Sequence, residues 1–579
     1  MKPLLHTVKN LVSEAFAQVF SDLQAPNPIP LNIEIAHCKD AALGDYQCNS
    51  AMRYAKELKL APKDLAAKVM AYLQSELFSE VSLAGPGFIN LRVSPQVLEN
   101  YAREMLSQPR LAVGQVDATR IVVEFSSPNV AKEMHVGHLR STIIGDSLAR
   151  VFEFLGYDVL RLNHIGDWGT AFGMLIAHME DVALPVLQGK EAADLAALMT
   201  WYRESKKHFD EDEAFKKRAQ LKVVALQGGD PDAYRAWEII CDISAKAYQQ
   251  IYDLLDVKIT TRGESFYNPM LPGVIDALQS QGLISISDGA KCVFLDGFTN
   301  REGEPLPLMA QKADGGYNYA TTDLAAVRHR IDVEKVKRVI YVVDIGQSQH
   351  FAMVFAAAQK AGWVPDFVEL NHVPFGLVLG SDGKKFKTRS GDVERLIDLL
   401  TEAVIEARRI LVERGGIEEP KLSEMANVLG INAVKYADLS CQRAQDYVFS
   451  YERMLKFEGN TAAFIMYSYV RILSILRKVN VDPTSLNVAD LKLQHPSELA
   501  LALHLAQFSE AIDYVARELY PHRLCDYLYT LAGHFNGFFR DCRVEGTQEQ
   551  SSRLLLCHLT SQVFKQGMEL LGLRILDKM

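Results

Sequence analysis

Two histidines three positions apart, His135 and His138, carry the clearest chemical signal in this 579-residue chain. They flank Gly137 and follow an apolar run at 121–125 that is typical of a buried strand. Imidazoles at this spacing could be metal ligands, donors to a phosphate, or ordinary packing residues. The sequence lacks an H-E-x-x-H pattern, which disfavours metal. Phosphate binding fits better, because the amides at a helix N-terminus attract an anion and a glycine allows close approach.

A strand, a loop and a helix must position this histidine pair. The pattern predicts a strand at 121–125, a helix at 139–155 that ends at Gly156, and a second strand at 158–163. This order is a βαβ unit and implies a parallel sheet. A further buried strand is predicted at 339–343, followed by a helix at 350–361.

Three regions follow from the changes in pattern along the chain. Residues 1–115 mix helices with short strands and predict an α+β domain, whereas residues 116–395 hold the predicted parallel sheet. Within the second region, about 185–260 reads as a polar helical insertion whose charge-rich part, 202–220, is typical of a solvated helix face. Residues 396–579 are predicted to be all-α.

Composition limits the classes of function. A hydrophobic fraction of 48% and a charged fraction of 23% are typical of a soluble globular protein, and there is no apolar run of the roughly 20 residues that a membrane helix needs. The first residues lack the apolar core of a secretory signal, so we expect a cytoplasmic protein. The eight cysteines contain no C-x-x-C pair, which predicts reduced thiols and no bound zinc. With a net charge of −10, a nucleic acid would have to meet a local basic patch.

Longer motifs around the histidines point to a family. HVGH at a strand-to-helix turn resembles the HIGH signature of class I aminoacyl-tRNA synthetases. Further stretches in the expected order, such as GDYQCN at 44–49, RLNHIGDWGTAFGML at 161–175, RGESFYNP at 262–269 and YNYATTDLAAVRHR at 317–330, resemble arginyl-tRNA synthetases of the bacterial type over nearly the whole chain. That resemblance implies a Rossmann-type catalytic domain, an N-terminal additional domain and a C-terminal helical anticodon-binding bundle.

The resemblance also implies the reaction: ATP-dependent activation of L-arginine to arginyl-adenylate, then transfer to the 3′-terminal ribose of tRNA(Arg). ATP would bind as its Mg²⁺ complex, and the family is usually monomeric and does not bind membranes. The second family signature, KMSKS, appears here as KFKTR at 385–389, with Thr388 in place of its second lysine. Lys132 is then the candidate to supply the missing charge. The implied catalytic residues are His135, His138, Lys132, Lys385 and Lys387, and the implied ATP-binding residues are His135, Gly137, His138, Lys385, Thr388 and Arg389.

For the amino acid, a planar guanidinium calls for carboxylates in its plane. The resemblance assigns that role to Glu124 and Asp323, and it places Tyr319, Gln347 and Asn129 around the rest of the substrate. Taken from the residues alone, Glu124 would be a rim residue at a strand end and Asp323 a helix N-cap. Candidate tRNA-binding residues by resemblance are Tyr46, Gln47, Tyr447, Arg453 and Tyr529.

Two other functions compete with this interpretation. One is a synthetase-like protein that binds nucleotide or RNA without aminoacylating it. The other is a nucleotidyltransferase for a small substrate on the same fold, in which a full C-terminal bundle would have no purpose. Retention of HVGH, the 385–389 segment and both pocket carboxylates favours the ligase.

Overall fold

The structure is a computed structural model, and it describes residues 2–23, 31–380, 382–384 and 395–579. The N-terminal region is an antiparallel sheet of order β1-β2-β4-β3 covered by helices. In α1, apolar side chains at helical spacing, including Val8, Val12 and Phe16, are buried. Its elements are α1 (Leu4–Asp22), β1 (Ile35–His37), β2 (Tyr46–Cys48), α2 (Ser50–Glu57), α3 (Pro62–Ala71), β3 (Phe78–Ala84), β4 (Phe88–Val93) and α4 (Pro95–Ser107).

The middle region contains the parallel sheet, which confirms the predicted fold class. Its strands have the order β12-β11-β5-β6-β7 and every neighbouring pair is parallel. The elements are β5 (Arg120–Glu124), α5 (Val136–Leu155), β6 (Asp158–Asn163), α6 (Thr170–Val182), α7 (Leu184–Leu187), α8 (Leu195–Glu211), α9 (Glu213–Gln227), α10 (Pro231–Leu254), β7 (Thr260–Thr261), α11 (Leu271–Ser280), β8 (Ser285–Ser287), β9 (Ala290–Thr299), β10 (Pro305–Gln311), α12 (Tyr319–Asp332), β11 (Arg338–Tyr341), α13 (Ser348–Lys360), β12 (Glu369–His372) and β13 (Val378–Leu379).

Alternation along β5 explains why the sheet is apolar on both faces. Ile121 and Val123 enter one hydrophobic core, and Val122 enters the other. The second core is built with α11, α12 and α13, whereas the first continues into the N-terminal and C-terminal regions. The carboxyl ends of β5, β6 and β11 lie side by side, since Glu124 is in register with both Leu162 and Tyr341.

Two local predictions differ from the structure. The helix predicted to begin at residue 139 begins at Val136, so both histidines belong to its first turn, and Gly156 ends it in the left-handed conformation with φ 98° as expected. The C-terminal region is helical except for a short strand, β14, which pairs in parallel with β13. Its elements are α14 (Leu396–Arg414), α15 (Lys421–Leu439), β14 (Tyr447–Val448), α16 (Tyr451–Met454), α17 (Ala462–Val479), α18 (Pro496–Ala506), α19 (Phe508–Glu518), α20 (His522–Asp541) and α21 (Gln550–Leu570).

The helix α5 is one of the elements that contact both the sheet and the C-terminal region. It packs on β5 and β6 and also on α14, α15, α19 and α21. A helix that carries both histidines at its start therefore lies between the parallel sheet and the C-terminal helices.

Candidate active site

The first turn of α5 holds its two histidines through their own backbone. His135 is the N-cap residue, and its Nδ1 accepts a hydrogen bond from the Gly137 amide at 3.1 Å. The Nδ1 of His138 accepts from the His135 amide, also at 3.1 Å. A neutral imidazole that accepts at Nδ1 carries its proton on Nε2, so each ring in the neutral form presents an Nε2–H donor.

Electrostatics keep His138 neutral. Burial, the neighbouring His135 and the charge of Lys132 lower the pKa of His138 to about 3. The rings of His135 and His138 have centroids 4.1 Å apart, and a Cβ at Gly137 would lie 2.9 Å from the His135 ring, so only glycine fits here without displacing that ring.

The loop between β5 and α5 is fixed from two sides. The hydroxyl of Tyr248 on α10 lies 2.7 Å from the carbonyl oxygens of both Asn129 and Lys132, and it shares its single proton between them. On the other side the Val130 amide donates to the Gly166 carbonyl. A Cβ at Gly166 would collide with Asn129 Oδ1, so this glycine leaves the space that the Asn129 side chain occupies.

Glu124, predicted to bind the amino acid, is already paired with a cation. It is buried at the end of β5 and forms an ion pair with the fully buried Arg330 of α12, and His164 Nδ1 lies 3.8 Å from the same carboxylate. The attraction of Glu124 raises the pKa of Arg330 well above its usual value against the effect of burial. Arg330 therefore compensates much of the negative charge of Glu124.

Asp323 lies inside α12 rather than at its N-cap, which is Asn318. The Asp323 carboxylate is 2.6 Å from His350 Nε2. The ring of Tyr319, at the start of the same helix, has its centroid 4.8 Å from that of His350 and is exposed. Asp323, Tyr319 and His350 thus form one group, and Gln347, also exposed, precedes His350 by three positions.

One acidic residue near this group was not singled out from the sequence. Glu264 follows Gly263, and its pKa is raised to about 7 by burial and by the negative charges of Asp323 and Asp167. The Asp167 carboxylate is held by the amide and hydroxyl of Ser265. The position of Glu264 within the family-like motif RGESFYNP at 262–269 was the one sequence feature that could have indicated it. A partly buried carboxylate beside two others favours a cationic ligand, because a cation would relieve the repulsion.

The residues predicted to contact tRNA fall into two groups. Tyr46 is fully buried and its hydroxyl donates to Glu510 at 2.9 Å, and Gln47 donates to Asn90 at 2.7 Å. Tyr447 has its ring against the guanidinium of Arg140, 5.1 Å from the centroid, and its hydroxyl is buried. Each of these three side chains therefore makes a contact within the protein.

Two candidates remain at the surface. Arg453 is exposed and donates to the Val448 carbonyl at 2.7 Å, and Tyr529 on α20 is 41% exposed. Among the predicted tRNA contacts, these two side chains have the surface that stacking or phosphate contact requires.

The segment resembling KMSKS cannot be placed in the same way. Lys385, Lys387, Thr388 and Arg389 lie outside the described residues. The chain is described again from Arg395, which forms an antiparallel bridge with His135, and the Leu396 amide donates to the Met134 carbonyl at 2.8 Å. Arg395 and Leu396 therefore lie directly against the HVGH turn.

Within the described parts of the chain, no group of three or more His, Cys, Asp or Glu side chains is placed to hold a metal ion. In the same parts, none of the helices combines the length and apolar character that crossing a membrane requires.

Comparison with known proteins identifies the family. The family described as tRNA synthetases class I (R), catalytic domain, matches residues 102–451, the DALR anticodon binding domain matches 465–579, and the arginyl tRNA synthetase N terminal domain matches 6–93. An arginine–tRNA ligase of Protochlamydia amoebophila is 54% identical over 585 aligned residues, with 100% of both chains covered. The chain belongs to the arginyl-tRNA synthetase family.

Other arginyl-tRNA synthetases agree in sequence and in shape. An arginine–tRNA ligase of Nostoc punctiforme is 50% identical, with 99% of each chain covered. The crystal structure of the arginyl-tRNA synthetase from Plasmodium falciparum superposes with a TM-score of 0.88 at 33% identity, covering 99% of both chains. The Thermus thermophilus arginyl-tRNA synthetase shares the fold, with a TM-score of 0.79 at 23% identity over 99% of this chain and 100% of that one.

Proposed function

We propose that this arginyl-tRNA synthetase family member is an arginine–tRNA ligase that acts on L-arginine, ATP and tRNA(Arg). In the first step an oxygen of the arginine carboxylate attacks the α-phosphorus of ATP, and the bond to pyrophosphate breaks. In the second step a hydroxyl of the 3′-terminal ribose attacks the carbonyl carbon of arginyl-adenylate, and AMP leaves. This scheme needs no covalent enzyme nucleophile, so catalysis rests on positioning and on donors aimed at the phosphorus.

The two locked imidazoles support the first step most directly. Their Nδ1 atoms are occupied by backbone amides, so Nε2–H is the donor that each neutral ring offers to a phosphate oxygen. Lys132 adds positive charge near His138. We assign the pyrophosphate side of the reaction to these three residues, together with Gly137 and the 385–389 segment, and we expect ATP to arrive as its Mg²⁺ complex.

For the amino acid, we propose that Asp323 and Glu264 supply most of the charge that the guanidinium meets. Glu124 is assigned to the same pocket but contributes less net charge, because Arg330 already compensates it. Tyr319 lies against the substrate in this proposal, and Gln347 and Asn129 hold its α-amine and carboxylate. A lysine would leave in-plane acceptors unpaired, which supports discrimination without an editing site.

The regions of the chain take corresponding roles. We assign residues 1–115 and 396–579 to tRNA binding and 116–395, with its insertion at about 185–260, to catalysis. Arg453 and Tyr529 are the proposed direct tRNA contacts, whereas Tyr46 and Tyr447 join regions of the chain through Glu510 and Arg140, and Gln47 supports the N-terminal sheet through Asn90. A monomer in the cytoplasm is the form that we propose, as expected from the family.

The test is arginine-dependent exchange of labelled pyrophosphate into ATP, with and without tRNA(Arg), followed by aminoacylation of the tRNA. We expect exchange and aminoacylation with arginine and neither with lysine at equal concentration. Nucleotide binding without exchange under either condition would instead indicate a non-aminoacylating relative. Exchange without any charging of tRNA would indicate a nucleotidyltransferase for a small substrate.

A further inference from the structure

One buried arginine joins three parts of this molecule. Arg140 lies on α5, two positions after the HVGH motif, and its side chain is fully buried. Its Nε is 3.0 Å from the Asp438 carboxylate on α15, which is also fully buried. Its Nη1 donates to the Gly376 carbonyl at 2.8 Å and to the Gln445 carbonyl at 3.1 Å. The guanidinium thus contacts a helix of the C-terminal region and two loops at once.

The two loops precede the paired strands β13 and β14. Gly376 lies two positions before β13, which leads toward the 385–389 segment, and Gln445 lies two positions before β14. The loops are joined to each other as well: the Gly376 amide donates to the Arg443 carbonyl, and the Leu377 amide donates to the Asp446 carboxylate at 2.6 Å. The backbones of the two loops are so close that a Cβ at Gly376 would lie 2.7 Å from the Gln445 carbonyl.

The buried carboxylate of Asp438 needs Arg140 as its cationic partner. Burial raises the pKa of Asp438, while Arg140 and the hydroxyl of Tyr447 oppose that rise. A buried carboxylate is strongly destabilising without a partner, and removal of one member of such a pair leaves the other charge uncompensated. The planar fork of an arginine can serve a carboxylate and two carbonyls in fixed directions, which a lysine ammonium cannot reproduce.

We infer that Arg140 is a positioning residue for adenylate formation. This inference rests on the proposed function. Arg140 and Asp438 set the distance between the histidines at the start of α5 and the chain that leads to the second signature segment. Arg140 acts through α5 and the Gly376 loop. A shift of about 1 Å between groups that hold the same phosphates is enough to cost roughly a hundredfold in rate.

Three variants test the inference by arginine-dependent exchange at saturating ATP and tRNA(Arg), well below each variant's unfolding temperature. Arg140→Lys keeps the charge but loses the fork, and Asp438→Asn keeps the size but loses the charge. We expect each to lower kcat by about 10- to 100-fold with the arginine KM changed by less than about threefold. The double variant should be about as slow as the slower single variant, because both remove the same contact.

Ser147→Ala is the matched control. Ser147 is buried two turns further along α5, and its hydroxyl donates to the Leu570 carbonyl at 3.1 Å, so it links the same helix to the C-terminal region without touching the Gly376 loop. Its kcat should stay within about twofold of wild type, the usual size of a remote effect. Folded Arg140→Lys and Asp438→Asn proteins with wild-type kcat and only a lower unfolding temperature would overturn the inference.

A milder variant decides the matter if those two proteins do not fold. Tyr447→Phe removes only the hydroxyl that, with Arg140, opposes the rise in the pKa of Asp438, and we expect kcat to fall by about 3- to 10-fold, less than in the other two variants. An unchanged kcat in that variant would then overturn the inference. Absence of exchange in the wild-type protein, by contrast, would contradict the proposed function itself.

Discussion

Glu264 gives a sharp test of how the pocket binds arginine. Its pKa of about 7 means that the free protein exchanges this proton within the ordinary working range of pH. A guanidinium binds the ionised carboxylate, so the species that takes up arginine is the deprotonated one. The ionised fraction is about 0.9 at about pH 8 and about 0.1 at about pH 6, so kcat/KM for arginine should fall roughly tenfold between them.

The value of kcat should behave differently. Bound arginine stabilises the ionised form and lowers the pKa of Glu264 in the complex, so kcat at saturating arginine should change little over the same range. The glutamine in the Glu264→Gln variant does not ionise over this pH range. The variant should lack the pH step and, from loss of one charge-assisted hydrogen bond of about 1.5 to 3 kcal/mol, should have kcat/KM lower by about 10- to 150-fold at the upper pH.

The assay is pyrophosphate exchange at saturating ATP and tRNA(Arg), with arginine varied at each pH. Glu302→Gln is the control, since Glu302 is exposed in the turn between β9 and β10, and it should follow the wild-type profile. Comparison of variant and wild type also removes any titration of ATP from the result. A Glu264→Gln protein that keeps the wild-type step, or a wild-type kcat/KM that is flat with pH, would refute the assignment.

Three other outcomes are expected. His138→Ala should lower kcat of exchange by about 10²- to 10³-fold, as for loss of one transition-state donor, with the arginine KM nearly kept; equal damage to arginine binding would contradict the assignment. Glu510→Gln should lower the free energy of unfolding by about 1.5 to 3 kcal/mol in urea titration, because the buried carboxylate accepts from Tyr46. Asp513→Asn, in the middle of α19 with a side chain that is 44% exposed, should cost less than about 0.5 kcal/mol. The pKa values of His138 and His504 are both lowered to about 3, so as pH falls the unfolded chain takes up these protons before the folded chain does. The free energy of unfolding should therefore decline as pH falls from about 6.5 toward 3, by up to about 1.4 kcal/mol per pH unit for each histidine. The variant His504→Gln should show a smaller decline per pH unit.

The sequence predicts well what depends on neighbouring residues. The β-branched run of β5, the glycine that ends α5 and the βαβ order follow from local patterns, and the structure has them. The start of α5 was placed three residues too late because histidine is an uncommon N-cap. Its capping bonds become visible only when the ring directions are known.

Partners far apart in the chain could not be predicted. Glu124 was placed correctly at a strand end, but its cation, Arg330, is 206 positions away. Tyr46 was predicted to contact tRNA, and the Glu510 carboxylate that accepts the hydrogen bond from its hydroxyl is 464 positions away. Nothing in the local pattern separates a buried tyrosine of this kind from an exposed one, since both fit a short strand.

The histidine cap at the start of α5 has a consequence for which amino acids these positions can accept. The same side chains begin the helix and carry the donors that we propose for phosphate, so each position would be constrained by two separate requirements. His135→Asn would retain an acceptor for the helix start while altering the reach and direction of the donor, and His135→Ala would lose both functions. A single substitution at either position would therefore have to keep both the hydrogen bond that begins the helix and the proposed donor.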